Sequence, residues 1–166
     1  MSFWQRIFGK DKINFKVRTD YDEDEIPWLH TEIFINNRSL FQKLIDYENF
    51  EASRTQTDPD LVGKYIGIDP VHIRKTLLKC KPGSEISLWQ CSKCRSHCSV
   101  TLVCKVRIKL LYVELYDFRQ IINPIPFNGK SLPDENFVDK TKWNYETFGP
   151  FVFNTIQFYR EIISLK

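Results

Sequence analysis

What the chain lacks narrows its class first. No apolar run approaches the roughly 18 residues a bilayer-spanning helix needs, so no membrane span is expected. The opening MSFWQRIFGKDK has neither an apolar h-region nor a small-residue cleavage site, which reads against a secretory signal. The expected compartment is therefore the reducing cytoplasm, where thiols stay free and an odd cysteine count raises no difficulty. Glycine is scarce, with six in 166 residues, and VGKYIG lacks the Gly-x4-Gly-Lys-Ser/Thr spacing that lets backbone amides cradle phosphate. The three histidines (His30, His72, His97) and the scattered acids form no nucleophile–base spacing, no Gly-x-Ser-x-Gly and no His-Glu-x-x-His. No catalytic residue is assigned, and a non-enzymatic protein is expected.

Hydrophobic residues at 42% and aromatic ones at 14% are enough for one core packed largely by rings, so residues 1–166 are expected to form a single domain. Net charge is only +3, but it is unevenly spread. DYDEDE (20–25) is a solvated acidic loop, whereas Lys79, Lys81, Lys93, Arg95, Lys105, Arg107 and Lys109 face the single acid Glu85 within their span. Lys93, Arg95, Lys105, Arg107 and Lys109 are the candidate partner-binding residues, for an acidic protein surface or for phosphate. An edge hairpin protected by charge fits the same pattern.

Periodicity supplies the elements. INFKVR (13–18) and HTEIFINN (30–37) read as strands, the second placing Ile33 and Ile35 on one face before an Asn36-Asn37 turn. Ser39 and Gln42 form a capping box ahead of a helical stripe of Leu40, Phe41, Leu44 and Ile45. Residues 54–70 read as an irregular crossing that ends in a short turn capped by Asp69. Ile86 and Leu88, then Val100 to Ile108 at period two, then Val113 and Leu115, read as strands. INPIPFNGKSLPDENF (122–137) reads as a long loop, and a second helix comes after Asn154, with Ile156, Tyr159, Ile162 and Ile163 as its stripe. The expected fold is α+β: a mainly antiparallel sheet with two principal helices in one compact domain.

One stretch invites chemistry. CSKCRSHC (91–98) holds three of the five cysteines. A structural zinc ion wants four thiolate or imidazole ligands; Cys91-x2-Cys94 is a correctly spaced pair, Cys98 a third ligand and Cys80, beside the Pro82-Gly83 turn, the best fourth. Cys104 shares a strand face with Leu102 and Val106 and reads as core. Lys93 and Arg95 would favour thiolate for redox work, though a thioredoxin-like motif would open a helix. Reduced cysteines packing a turn are the third reading, and the sequence leaves all three open.

EIFINNRSLFQKLIDYE, DPDLVGKYIGIDP, the cysteine cluster with KVRI, VELYDFRQ and WNYETFGPFVFNTIQFY together resemble, over about residues 31–162, a widespread family of bacterial proteins without an assigned activity. Cys91, Cys94 and Cys98 match its three cysteines, Asp117 and Phe118 its Asp-Phe pair, and Trp143, Tyr145, Gly149, Pro150 and Phe151 its C-terminal signature. The resemblance implies a shared fold and a bacterial origin, and no chemistry. The function expected is a cytoplasmic binding protein, in its most concrete form an immunity protein that neutralises a toxin by direct contact. A zinc or thiol protein is the alternative, and nucleic acid stays open as a partner through Lys105, Arg107 and Lys109.

Overall fold

A computed structural model describes residues 10–21, 25–55, 65–91, 100–122 and 143–165. Among the described residues, two antiparallel sheets and three helices make an α+β fold. The first sheet has three strands in the order β1-β2-β3 (Ile13–Tyr21, Pro27–Ile35, Arg38–Ser39), and the second has five in the order β4-β5-β6-β7-β8 (Tyr65–Gly67, Glu85–Cys91, Val100–Ile108, Tyr112–Ile122, Phe151–Asn154). The helices are α1 (Leu40–Thr55), α2 (Pro70–Lys79) and α3 (Thr155–Ser164).

Local chemistry explains most boundaries. Asn36 and Asn37 take φ of 55° and 63°, the left-handed conformation that asparagine tolerates, and so close the β2–β3 turn. The Ser39 hydroxyl accepts from the Gln42 amide at 3.5 Å to open α1, whose Leu40 and Leu44 are fully buried. Asp69 accepts from the His72 amide at 2.9 Å, but the element it caps is a ten-residue helix and not the short turn expected, because Pro70 at its first position is preset for helix and Ile73 and Leu77 bury one face. Asn154 caps α3 by accepting from the amides of Ile156 and Gln157.

In α3 the expected stripe is corrected. Phe158 and Ile162 are the buried residues, with Phe158 stacked on Phe153 at 5.7 Å, while Ile156 and Ile163 are 78% and 58% exposed. The helix carries two apolar faces, and the ring-bearing one wins the core because an aromatic side chain removes more surface from water.

The hairpin expected at a sheet edge is also corrected: β6 is the central strand of the larger sheet, with Leu102, Cys104 and Val106 fully buried. The two sheets meet where the Thr31 amide donates to the Ile68 carbonyl at 2.8 Å. Gly67 permits this approach, since a β-carbon there would run into the Thr31 carbonyl oxygen and stand 2.7 Å from the His30 ring. At the other end of the chain fold, Asp11 accepts from the Val152 amide at 2.9 Å and Gln157 donates to the Ile13 carbonyl at 2.5 Å, so β1 is clamped to β8 and α3.

Gly67→Ala is expected to lower the unfolding free energy by about 1–3 kcal/mol, the usual cost of overpacking. Urea unfolding measures it, and an unchanged midpoint would show that the two sheets do not need this contact.

Candidate functional site

The residues of the Asp-Phe pair and of the C-terminal signature come together around one cleft of about 510 Å3 between β7 and the segment 143–150. Its construction begins with a bulge. Val103 pairs with Arg119 and Lys105 with Tyr116, so Asp117 and Phe118 together stand opposite Cys104. Asp117 accordingly takes φ of 53°, a left-handed conformation that aspartate tolerates better than most side chains. The extra residue reverses the alternation of the strand. Val113 and Leu115 point inward before it, Phe118 points inward after it, and Asp117 is left outside.

Phe118 then anchors the opposite wall. Its ring meets Phe148 at 5.1 Å and Phe151 at 5.6 Å, both edge-on, the arrangement favoured by ring quadrupoles. Gly149 at φ of 97° turns the chain over Phe118, and a β-carbon there would lie 3.0 Å from that ring. From α1, Tyr47 donates to the Asn144 carbonyl at 2.5 Å, and Tyr145 donates to the buried carboxylate of Glu48 at 2.6 Å. The rings of this region are therefore largely core, and Trp143, Tyr145 and Phe148 form the cleft wall. Trp143 is 7% exposed and its indole Nε1 has no hydrogen-bond partner among the described residues, a buried donor facing an unmet cost of about 1–3 kcal/mol.

The cleft rim is a lattice of ion pairs. Lys105 reaches Asp117 at 2.7 Å, Arg107 reaches Glu114 at 2.5 Å with its guanidinium 4.4 Å above the Tyr116 ring, and Arg119 pairs with Glu85. The hydrogen bond from Lys105 holds the Asp117 carboxyl below its ordinary range, against a smaller opposing effect of desolvation. Asp117 thus pairs with Lys105. Three acids balance three bases on this face, so Lys105 and Arg107 do not make the open basic patch their spacing suggested. Lys109 lies in the β6–β7 turn, and Lys93 and Arg95 fall outside the described residues.

The cysteines are placed only in part. Cys94, Cys98 and His97 lie outside the described residues, and Cys91 ends β5. Cys104 is fully buried as expected, and burial pushes its thiol well above the ordinary range. Cys80 is half-buried, its thiol also raised by desolvation and donating to the Leu77 carbonyl at 3.1 Å. Cys80 lies by the start of β5: the Gly83 amide donates to the Val106 carbonyl, and β5 then runs from Glu85 to Cys91. At about 3.3 Å per residue the strand carries Cys91 nearly 20 Å beyond that end. Of the expected zinc ligands Cys80, Cys91, Cys94 and Cys98, the last two lie outside the described residues. Among the described residues no group of three metal-ligating side chains forms.

No family model matches this chain, and no curated protein or solved structure gives a match. Sequence reasoning named the cleft residues only as motif members. The signal it had was the density of rings in WNYETFGPFVF; the donor left over at Trp143 carries no mark in the sequence.

Asp117 has a depressed pKa in the folded protein, so its contribution to stability is full above the unfolded carboxylate range and is lost as the pH falls through the lower folded value. Asp117→Asn is expected to remove that acid-side dependence in urea unfolding between pH 2 and 7. Asp117→Ala is expected to be less stable than Asp117→Asn by about 1 kcal/mol, because alanine tolerates the left-handed backbone poorly. Equal stabilities would mean that the bulge imposes no conformational demand.

Proposed function

We propose that this protein is a non-enzymatic bacterial binding protein of the cytoplasm, and specifically an immunity protein that neutralises a toxin by direct contact at the aromatic cleft. The observation that carries the reading is the buried indole N–H of Trp143, without a partner among the described residues, in a ring-walled cleft. A partner that opens the cleft and presents a carbonyl or carboxylate would satisfy that donor, while the half-buried Tyr116 supplies a rigid aromatic contact of the kind that dominates protein interfaces. The alternating charges of the rim give such a partner its register and orientation. A net charge of +3 favours a toxin other than a basic nuclease, whose inhibitors are expected to be acidic. No helix among the described residues is long and apolar enough to cross a membrane.

The second reading, a zinc or thiol protein, is favoured by the Cys91-x2-Cys94 spacing, with Cys98 as a third ligand. Co-expression with the product of the adjacent gene separates the two. A stable complex is expected to co-purify, and Trp143→Phe, which keeps a ring and removes the donor, is expected to weaken it about tenfold at unchanged far-ultraviolet dichroism. Failure to form a complex rejects the immunity reading, and full affinity in the variant rejects the cleft as its site. Stoichiometric zinc in protein purified without added metal, lost on Cys91→Ser with Cys94→Ser, would establish the second reading. Five titrating thiols and no metal would dismiss it.

A further inference from the structure

The hairpin of β1 and β2 runs out beyond the core. Ile13 is buried at its base, whereas every residue of β1 from Lys16 to Tyr21 is exposed, and among the described residues no strand pairs with the outer edge of β1. The direction of the backbone groups along that edge is set at Ile13. Its amide and carbonyl both turn outward to the side chain of Gln157, while the Lys12 carbonyl accepts from the Asn36 amide across the hairpin. The β1–β2 register then runs without a shift from Ile13 opposite Ile35 to Tyr21 opposite Pro27. Arg18 and Asp20 therefore bond β2, and Val17, Thr19 and Tyr21 present both backbone groups to the open edge.

An open edge is a liability that proteins ordinarily blunt with charge. Here the charges select one pairing. A second β1 laid antiparallel about a two-fold axis at Thr19 sets Val17 opposite Tyr21, Thr19 opposite Thr19, and Arg18 opposite Asp20 in both directions. The outward-turned residues meet as hydrogen-bonded pairs, each exchanging both bonds, and the charged residues fall at the sites between them, where facing side chains come closest. Moving the register by one pleat sets Arg18 against Arg18 or, the other way, Asp20 against Asp20. Both side chains are more than half exposed, and each has a partner on β2: Arg18 bonds Glu32 at 3.0 Å and Asp20 lies 3.5 Å from Nδ1 of His30. Across the axis the two pairs join into a chain of alternating charge. Residues directly opposed share a face of the sheet, so Val17, 38% exposed, and Tyr21, 68% exposed, cover each other on the opposite face.

We infer that this protein forms a symmetric homodimer by antiparallel pairing of β1 with β1 of a second copy, centred on Thr19, so that two three-stranded sheets become one continuous sheet. A surface that complements itself under a two-fold axis is what an isologous contact requires. The ladder is short, because Gln157 occupies the edge at Ile13. The contact falls at the small end of specific interfaces, and the dimer has a dissociation constant in the range of about 10–100 μM. It does not depend on the partner-binding reading, since no residue of β1 lines the aromatic cleft.

Sedimentation equilibrium of the full chain between about 5 and 500 μM tests the association, and amide hydrogen exchange at the two ends of that range locates it. The mean mass is expected to rise from monomer towards dimer. The Thr19 and Tyr21 amides are expected to gain protection about threefold or more with concentration, while those of Arg18 and Asp20, already bonded to β2, do not change. Thr19→Pro removes an outward N–H and leaves the bonds to β2 in place, so a monomer with unchanged far-ultraviolet dichroism is expected. Arg18→Glu or Asp20→Lys alone sets like charges opposite each other and is expected to weaken association about tenfold. Combining the two exchanges the charges and is expected to restore association to near the parent value. Phe50→Asp, at a 63% exposed site on α1, is the control and leaves association unaltered. A monomer throughout the range, no gain of protection at Thr19 and Tyr21, or a double variant as weak as the singles would each overturn the strand pairing.

Discussion

The bulge that sets Asp117 and Phe118 together against Cys104 is the constraint on which the functional half of the molecule depends. A strand of strict alternation would carry Asp117 into the face shared by Val113 and Leu115, where a carboxylate without a partner costs several kcal/mol or neutralises. One extra residue moves the charge out to Lys105 and the ring in to Phe148 and Phe151. The cleft wall, the fold-back at Gly149 and the rim of ion pairs all depend on that change of phase.

The second bulge has a comparable effect at the other side of the central strand. In β5 the register shifts between Ser87 and Trp89, so that Ile86, Leu88 and Trp89 are all buried. A strand of ordinary period would have exposed the tryptophan. Its ring instead approaches Phe41 of α1 at 6.3 Å, which ties the larger sheet to the helix that packs on the smaller one. Each bulge therefore converts a position that would face solvent into an aromatic contact between layers.

These bulges also mark the limit of what could be read from the sequence. The α+β class, the strand of Val100 to Ile108, the Asn36-Asn37 turn and the caps at Ser39, Asp69 and Asn154 arise from local chemistry and were legible. The helix after Pro70 was not, because beyond Pro70 itself only Ile73 and Leu77 are buried, amid polar neighbours. The face that α3 buries was misread because the helix has two apolar stripes, and the choice between them is made by Phe153, which lies outside the helix. The central position of β6 and the partners of Lys105 and Arg107 are set by non-local pairing, for which neither strand carries a signal of its own.

The clamp between the first strand and the last helix bears on how the chain matures. The backbone of Ile13 is bonded at both its amide and its carbonyl to the side chain of Gln157, 144 positions later. During synthesis β1 can pair with β2 early but must wait for α3 before this clamp closes, and closing so large a loop is slow. Until then the apolar face that α3 covers stands open to other chains, so the nascent chain is more vulnerable to aggregation in the interval before α3 emerges.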